Sequence, residues 1–359
     1  MNIGIVGCGT IAKHYAANAA AFDAFRLVAC ADVFHESAEA LGAEHGLEVA
    51  TVEELTADPS IDVVLNLTPP VAHAAVIRQA LDAGKHVYSE KPLAALAAEA
   101  AELVAEAERR GLRIGCAPDI VLGGAYQVAR ALIDEGAIGE PLAVNAAALA
   151  GGQTKWHPNP DIFYTDGAGP LLDFGPYHIT AIVALLGPIR RVSGLASTRM
   201  LERRIAIGPR AGESFAATTP THVVATMALD DDVTASLITS FEADAHYLAD
   251  FQVYGSEGAL SLPDPNAFEG PVRISTHNGD WRDVAYSARG PREARGLGLQ
   301  DMVEAIGEGR PHRASGRLAH HVVDVAREIL ASAAQGTVLP VQSTAERPAA
   351  MPVEATQDA

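Results

Sequence analysis

The run Gly7-Cys8-Gly9-Thr10-Ile11-Ala12 constrains the fold of this chain more than any other segment. It follows Asn2-Ile3-Gly4-Ile5-Val6, a short apolar run of strand type, and opens an Ala-rich stretch of helical periodicity. In the pattern GxGxxA, Gly7 allows a tight turn and Gly9 lets the backbone approach a ligand. The third place tolerates only a small side chain, and alanine meets that condition. The amides and dipole of a helix start favour an anion, so Gly9, Thr10 and Ile11 form a candidate pyrophosphate site. Asp32 ends the next apolar run, 23 residues beyond Gly9. A carboxylate there accepts the ribose hydroxyls of NAD and repels the extra phosphate of NADP. The plainer alternative is a glycine turn in a nucleotide-type fold that binds nothing.

The first third of the chain continues that alternation. Leu27 to Ala31, Val63 to Leu67, His86 to Ser89 and Leu112 to Cys116 read as buried strands. Ile11 to Ala24, Val71 to Ala83 and Ala94 to Arg110 have helical periodicity, two of them stopped by Gly84 and Gly111. The expectation is an α/β Rossmann domain with a doubly wound parallel sheet over residues 1–120. Over 121–340 the pattern is that of an α+β domain with an open, mainly antiparallel sheet. Its strands are Pro141 to Ala148, Thr221 to Leu229, Val233 to Glu242, Phe251 to Tyr254 and Ala259 to Leu262, with a hairpin at Asp230-Asp231-Asp232. Leu171 to Leu186 reads as a helix, and helices near Gly298 to Glu308 and Arg317 to Ala334 close the domain. Residues 341–359, within a stretch from Gln335 without apolar periodicity, read as a loosely docked tail.

Composition excludes several classes. A 359-residue chain that is 48% apolar buries more than one ordinary core. The net charge of −19 argues against nucleic acid or an anionic membrane as main partner. No apolar run approaches a membrane span, and the N-terminus enters a strand with no secretory signal pattern. Cys8, Cys30 and Cys116 form no CxxC pair and suggest neither a disulfide framework nor a zinc site, so the cytoplasm is the expected compartment. Lysine is rare: Lys13, Lys85, Lys91 and Lys155 are the whole set. A lysine that persists against arginine is a candidate for a titratable amine, although Lys13 and Lys85 also read as simply exposed.

The segment Ile61 to Pro70, then His73, then Ala83-Gly84-Lys85-His86-Val87-Tyr88-Ser89-Glu90-Lys91-Pro92, closely resembles the Gfo/Idh/MocA oxidoreductase family. The resemblance extends through Gly169 to Gly187, Gly255-Ser256-Glu257-Gly258 and Gly309 to Arg313. It implies hydride transfer between NAD(H) and a hydroxyl or carbonyl carbon of a sugar, cyclitol or related diol. It also implies that Lys91 of Glu-Lys-Pro lies between nicotinamide ribose and substrate, aimed by Pro92. Thr68, His73 and Glu90 would line the cofactor groove. His73 is otherwise a surface residue in a first helical turn. The open sheet would need a second copy of the chain, giving a homodimer or homotetramer.

The family's other signature sets an Asp four residues before a His at a helix start. Here Tyr177 stands four after Asp173, and His178 five after. With Pro176 confined to a first turn, the helix is expected to begin near Asp173, as its N-cap. Four residues turn about 40° and five about 140°, so Tyr177 shares Asp173's face and His178 does not. Some branches of the family carry Tyr where inositol dehydrogenase has His, which favours Tyr177 as acid–base group with Asp173 orienting the site. In the alternative, Tyr177 is packing and His178 is catalytic or on the surface. Upstream, Trp156, His157 and Tyr164 supply stacking and polar groups suited to a sugar ring, although Trp156 and Phe163 equally suit a loop anchor. Where the family carries an Asn and Arg pair, Cys116-Ala117-Pro118-Asp119 stands instead. A sensor of NAD and sugar without turnover, and a redox-neutral enzyme holding its NAD, are the competing functions.

Overall fold

The computed structural model describes residues 1–277, 279–286 and 295–351, which divide into two compact units. In the first, β1 (Asn2–Val6), β2 (Arg26–Ala31), β3 (Glu48–Val49), β4 (Val63–Asn66), β5 (His86–Ser89) and β6 (Ile114–Cys116) form one sheet. Every pairing is parallel and the order is β3-β2-β1-β4-β5-β6. Ile3, Ile5, Val63, Val64, Leu65 and Val87 are wholly buried, as strands covered on both faces must be. The crossovers carry α1 (Thr10–Asn18), α2 (His35–His45), α3 (Val52–Ala57), α4 (His73–Asp82) and α5 (Ala97–Arg109). The periodicity reading missed β3, α2 and α3. A capping box marks the start of α3, with Thr51 Oγ1 accepting from Glu54 N and Glu54 accepting from Thr51 N. Lys13 is exposed, but Lys85 is buried, its Nζ donating to the carbonyls of Asp58 at 2.6 Å and Ile61 at 2.8 Å.

The second unit holds α6 (Gly124–Asp134) from Ala125 onward, with α7 (Pro170–Asp173) and α8 (Gly175–Leu186). Its large sheet takes β7 (Pro141–Leu149), β8 (Ile189–Ser197), β11 (His222–Leu229), β12 (Thr234–Ser240), β13 (Phe251–Gly255), β14 (Gly258–Leu262), β15 (Arg273–Thr276) and β16 (Arg282–Asp283). The strands β9 (Glu202–Arg204) and β10 (Ser214–Ala216) pair apart from it. In the large sheet only β7 and β12 run parallel to each other, so the open, mainly antiparallel sheet expected from the alternation is present. The hairpin between β11 and β12 turns at Asp231 and Asp232, both with positive φ (55° and 59°). On β11, Val223, Ala225, Met227 and Leu229 face the core, and α8 packs on β7 and β12. Val224 and Thr226 alternate outward with Ser193 and Leu195 of β8, leaving the other face of the sheet open among the described residues.

Two C-terminal helices follow, α9 (Leu297–Glu308) and α10 (Gly316–Gln335). They do not simply close the second domain as the sequence suggests. Residues 295–323 and 348–351 belong to the first unit, and the unit boundary falls within α10. The physical reason is polar. Asp119, wholly buried beyond β6, accepts from Gly296 N at 3.2 Å and Gly298 N at 2.9 Å, satisfying amides at the start of α9. Gln300 on α9 also accepts from Ala24 N at 3.1 Å. The tail is not loosely docked over its described part. β17 (Leu339–Pro340) pairs with β8, Ser343 N donates to Asp324, and Arg313 donates to the carbonyls of Ala349 and Ala350.

Burial pushes the Asp119 carboxyl up from its ordinary 3.8 to about 6; the Gly298 amide and the Arg295 guanidinium act against this, and Glu90 adds to it. A carboxyl raised in the folded state contributes stability that is complete below the unfolded value and lost as pH rises through the folded one. The loss amounts to roughly 3 kcal/mol. Asp119→Asn keeps a carbonyl acceptor for both glycines and cannot ionise. Its melting temperature is expected to gain on the wild type as pH rises from about 4 to 7. Parallel melting curves for the two proteins across that window would overturn the assignment.

Candidate active site

In the first unit the fingerprint turn is built as its residues require. Gly7 has φ +98°, and a Cβ there would lie 2.6 Å from the Leu67 carbonyl carbon, so only glycine fits. Gly9 caps α1 without a side-chain acceptor, and a Cβ on it would meet nothing within 4 Å. The open space over the helix start is a cradle for an anion. Thr10 is exposed at its rim, Ile11 is half-buried, and Ala12 is wholly buried, which accounts for the small third residue. Asp32 closes the turn from the side: Oδ2 accepts from Cys8 N at 2.7 Å and Oδ1 from Phe34 N at 2.8 Å. The carboxylate is thereby fixed at the end of β2. The next residues, Val33 and Phe34, are exposed apolar side chains that the sequence reading passed over, and they suit one wall of an adenine site. These features fit NAD.

The loops after β4 and β5 are joined by buried polar groups. Asn66 donates from Nδ2 to Ser89 Oγ (3.2 Å) and to the His73 carbonyl (3.3 Å), and its Oδ1 accepts the Thr68 hydroxyl at 2.7 Å. Thr68 is half-buried at the strand end, as expected. His73 corrects its expectation: it is 0% exposed, so it neither lines an open groove nor sits on the surface. Its Nε2 lies 2.7 Å from the Thr68 carbonyl and its Nδ1 2.6 Å from the Pro92 carbonyl. Glu90 is also buried and acts within the protein. Oε1 accepts the Tyr15 hydroxyl at 3.1 Å, and Oε2 accepts the Lys91 amide at 3.1 Å, with Arg295 3.9 Å away. Tyr15, which carries no motif of its own, was missed by the sequence reading. Lys91 is half-buried, and its bond to Pro92 is cis.

In the second unit the motif helix starts earlier than expected. Gly169 (φ +96°) is the N-cap of α7 and Pro170 its first residue, so Asp173 ends that turn and does not cap it. Pro176 lacks the N–H that would continue the hydrogen-bond ladder, which divides α7 from α8. Phe174 between them stays right-handed helical (φ −88°, ψ −35°), so the four-residue phase of Asp173 and Tyr177 carries through. Asp173 Oδ2 accepts from Gln153 Nε2 at 3.0 Å, and Gln153 is another residue the sequence reading missed. Tyr177 is buried near the helix start. His178 points into the interior, 1% exposed, its Nδ1 donating to the Phe174 carbonyl at 3.2 Å. Burial lowers its pKa, with Asp264 the main group acting the other way.

The aromatic loop divides in two. Trp156 is 60% exposed and forms a cluster with His157 and Phe163, the last two with ring centroids 5.1 Å apart. Tyr164 is not a surface for substrate: it is 0% exposed, packed edge-on to Phe215 and tilted against Phe241, with the Arg203 guanidinium 5.1 Å over its ring. Gly152 lies against the phenol hydroxyl, and burial raises its pKa.

Comparison with known proteins bears on the whole chain. Residues 1–117 match the family described as "Oxidoreductase family, NAD-binding Rossmann fold", and residues 126–261 match "GFO/IDH/MocA C-terminal domain". The dTDP-3,4-didehydro-2,6-dideoxy-alpha-D-glucose 3-reductase of Streptomyces violaceoruber is 33% identical over 288 residues, 78% of each chain. The 1,5-anhydro-D-fructose reductase of Ensifer adhaerens is 34% identical over 142 residues, 39% of this chain and 43% of that one. The solved structure of levoglucosan dehydrogenase in complex with NADH and L-sorbose shares the fold at a TM-score of 0.83 and 21% identity, covering 96% of this chain and 99% of that one. The chain belongs to the Gfo/Idh/MocA family of NAD-binding oxidoreductases.

Proposed function

We propose that the protein moves a hydride between NAD(H) and a hydroxyl-bearing carbon of a sugar, cyclitol or related diol. The observation that carries this reading is the buried bracing of Lys91. Glu90 holds its amide, and the next residue, Pro92, is bound through its carbonyl to His73. Such a brace has little use for a lysine that merely meets solvent. NAD(H), held at its nucleotide end by Gly9, Thr10 and Asp32, would supply the hydride acceptor or donor when bound. The Lys91 ammonium donates to the reacting oxygen and stabilises the charge that develops there. Tyr177, as the phenolate, takes the hydroxyl proton in oxidation and, as the phenol, donates one to the carbonyl oxygen in reduction, and Asp173, held by Gln153, orients the substrate hydroxyl. Trp156 and His157 offer a platform for the apolar face of a sugar ring. The names of the relatives support a sugar-like substrate. Three unpaired thiols support a cytoplasmic location, and no helix of the described residues is long and apolar enough to cross a membrane.

Lys91→Met and Tyr177→Phe are each expected to lower the turnover rate by about 10²–10⁴-fold while NAD binding survives. His178→Ala, a core truncation, is expected to lower stability more than turnover. Single-turnover kinetics with calorimetric NAD titration check this, and an active Tyr177→Phe beside a dead, folded His178→Ala would transfer the role to His178.

For the cofactor, NAD(H) is expected to bind more tightly than NADP(H), and Asp32→Ala to narrow the difference by removing the repelling carboxylate. Fluorescence titration of both cofactors decides it, and equal affinities in the wild type would sink the assignment.

The open sheet face is read as the contact with a second copy, giving a dimer or tetramer. Leu195 (73% exposed) and Val224 (36%) are its exposed apolar residues. Light scattering at micromolar concentration is expected to give a multiple of 37.4 kDa, and Leu195→Arg with Val224→Arg to shift it towards the monomer.

A further inference from the structure

We infer that Gln153 is a positioning residue for proton transfer, acting through Asp173; this rests on the reading above that Asp173 and Tyr177 serve the reacting centre. Gln153 is 2% exposed and begins the turn Gln153–Lys155 ahead of the aromatic loop. Its Nε2 donates to Asp173 Oδ2 at 3.0 Å. An amide nitrogen only donates and an amide oxygen only accepts, so the carboxylate dictates which end of the amide faces it. The contact in turn fixes the rotation of the carboxylate. The backbone of the same residue holds the loop: its carbonyl accepts from Trp156 N at 3.2 Å and His157 N at 2.9 Å. One residue therefore ties the aromatic loop to the motif helix, with the main chain on one side and the side chain on the other.

The remaining atom of the amide argues that this tie is not there for stability. Gln153 Oε1 is enclosed and has no hydrogen-bond partner among the described residues. An enclosed acceptor left without a donor costs about 1–3 kcal/mol. An apolar side chain of similar volume would fill the space without that cost, but it could not grip Asp173. The amide is therefore explained by the carboxylate that it aims.

The test compares Gln153→Leu, Gln153→His and Gln153→Glu with wild type and Tyr177→Phe. The probes are NAD+ with D-xylose, myo-inositol and levoglucosan, each variant being assayed on the sugar the wild type oxidises best. Gln153→Leu is expected to lose about 10–10²-fold in kcat with the KM for NAD+ nearly unchanged, since misaiming one group raises the barrier without weakening ground-state binding. Gln153→His keeps an N–H donor and is expected to recover part of the loss. Gln153→Glu sets a second carboxylate against Oδ2, so the acid limb of its kcat/KM profile is expected to move to higher pH. A purely structural role would lower the melting temperature and leave that limb in place. If Tyr177→Phe is inactive while Gln153→Leu, folded by circular dichroism, keeps wild-type kcat, the role of Gln153 is overturned and the helix assignment stands. If Tyr177→Phe stays active, or the wild type oxidises none of the three sugars, the underlying reading fails and this inference falls with it.

Discussion

Both ring nitrogens of His73 face carbonyl oxygens, Thr68 at 2.7 Å and Pro92 at 2.6 Å, and the nucleotide end of the molecule depends on that pair of contacts. A parallel sheet delivers its strand ends to one edge but does not fix the loops that leave them. Here the loop after β4 and the loop after β5 both close on one ring at the start of α4, with the tautomer deciding which carbonyl receives its N–H. Asn66 reinforces the same join by binding Ser89 and the His73 carbonyl. Because the ring is wholly buried, the distance between Thr68 and Lys91-Pro92 is set by packing as well as by hydrogen bonding. Ligand-facing groups on loops need that rigidity, since a small displacement of a reacting group costs more rate than most single contacts supply.

Charge is arranged around that brace in a consistent way. Near Lys91 the protein buries two carboxylates, Glu90 and Asp119, and gives each its own backbone donors: the Lys91 amide for Glu90, the glycine amides of α9 for Asp119. Buried carboxylates so close to one another are costly unless hydrogen-bonded, and the upward shift of Asp119 shows the cost that remains. The chain recruits residues 295–323 back to the first unit through these contacts. Asp119 thus stands where the family's Asn and Arg pair is absent, and it has a structural use: satisfying a helix start that would otherwise lie beside the sheet with unpaired amides.

The parallel sheet was legible because its strands are continuous apolar runs and its turn is marked by glycines that nothing else can replace. Asp32 was picked out by its distance from the glycine turn, whereas Thr68 and Lys91 were picked out by the resemblance their segment carries; each of the three follows the end of a strand in the structure. What the sequence did not disclose was the direction in which polar side chains point. His73, Glu90 and Tyr164 lie among recognisable motifs, yet each turns inward, and only tertiary packing decides that. Tyr15 and Gln153 carry no local signature, since the groups they bind lie 75 and 20 residues away. The short strands β3, β9, β10, β16 and β17 have too few residues for a period of two to show. The discontinuous first unit was hidden because a helix's apolar stripe does not say which core it covers.

The motif helix shows how a local rule can fail in detail and still leave its consequence intact. Pro176 does interrupt the hydrogen-bond ladder, but the chain upstream does not uncoil: Pro170, itself free of the need for an amide partner, starts a turn that runs through Asp173 into Phe174. Backbone angles at Phe174 stay in the helical well, so the rotation from residue 173 to 177 is still that of a helix even though no continuous ladder joins them. Phase belongs to the dihedral angles and not to the hydrogen bonds. That separates Tyr177 from His178 by about 100° and sends the imidazole into the interior, where its Nδ1 meets the Phe174 carbonyl four residues back. An imidazole enclosed there, its proton affinity lowered by burial, is poorly placed to exchange protons with a ligand. In the proposed mechanism, the helical angles at Phe174, three residues before Tyr177, favour the phenol over the imidazole as the proton-transfer group.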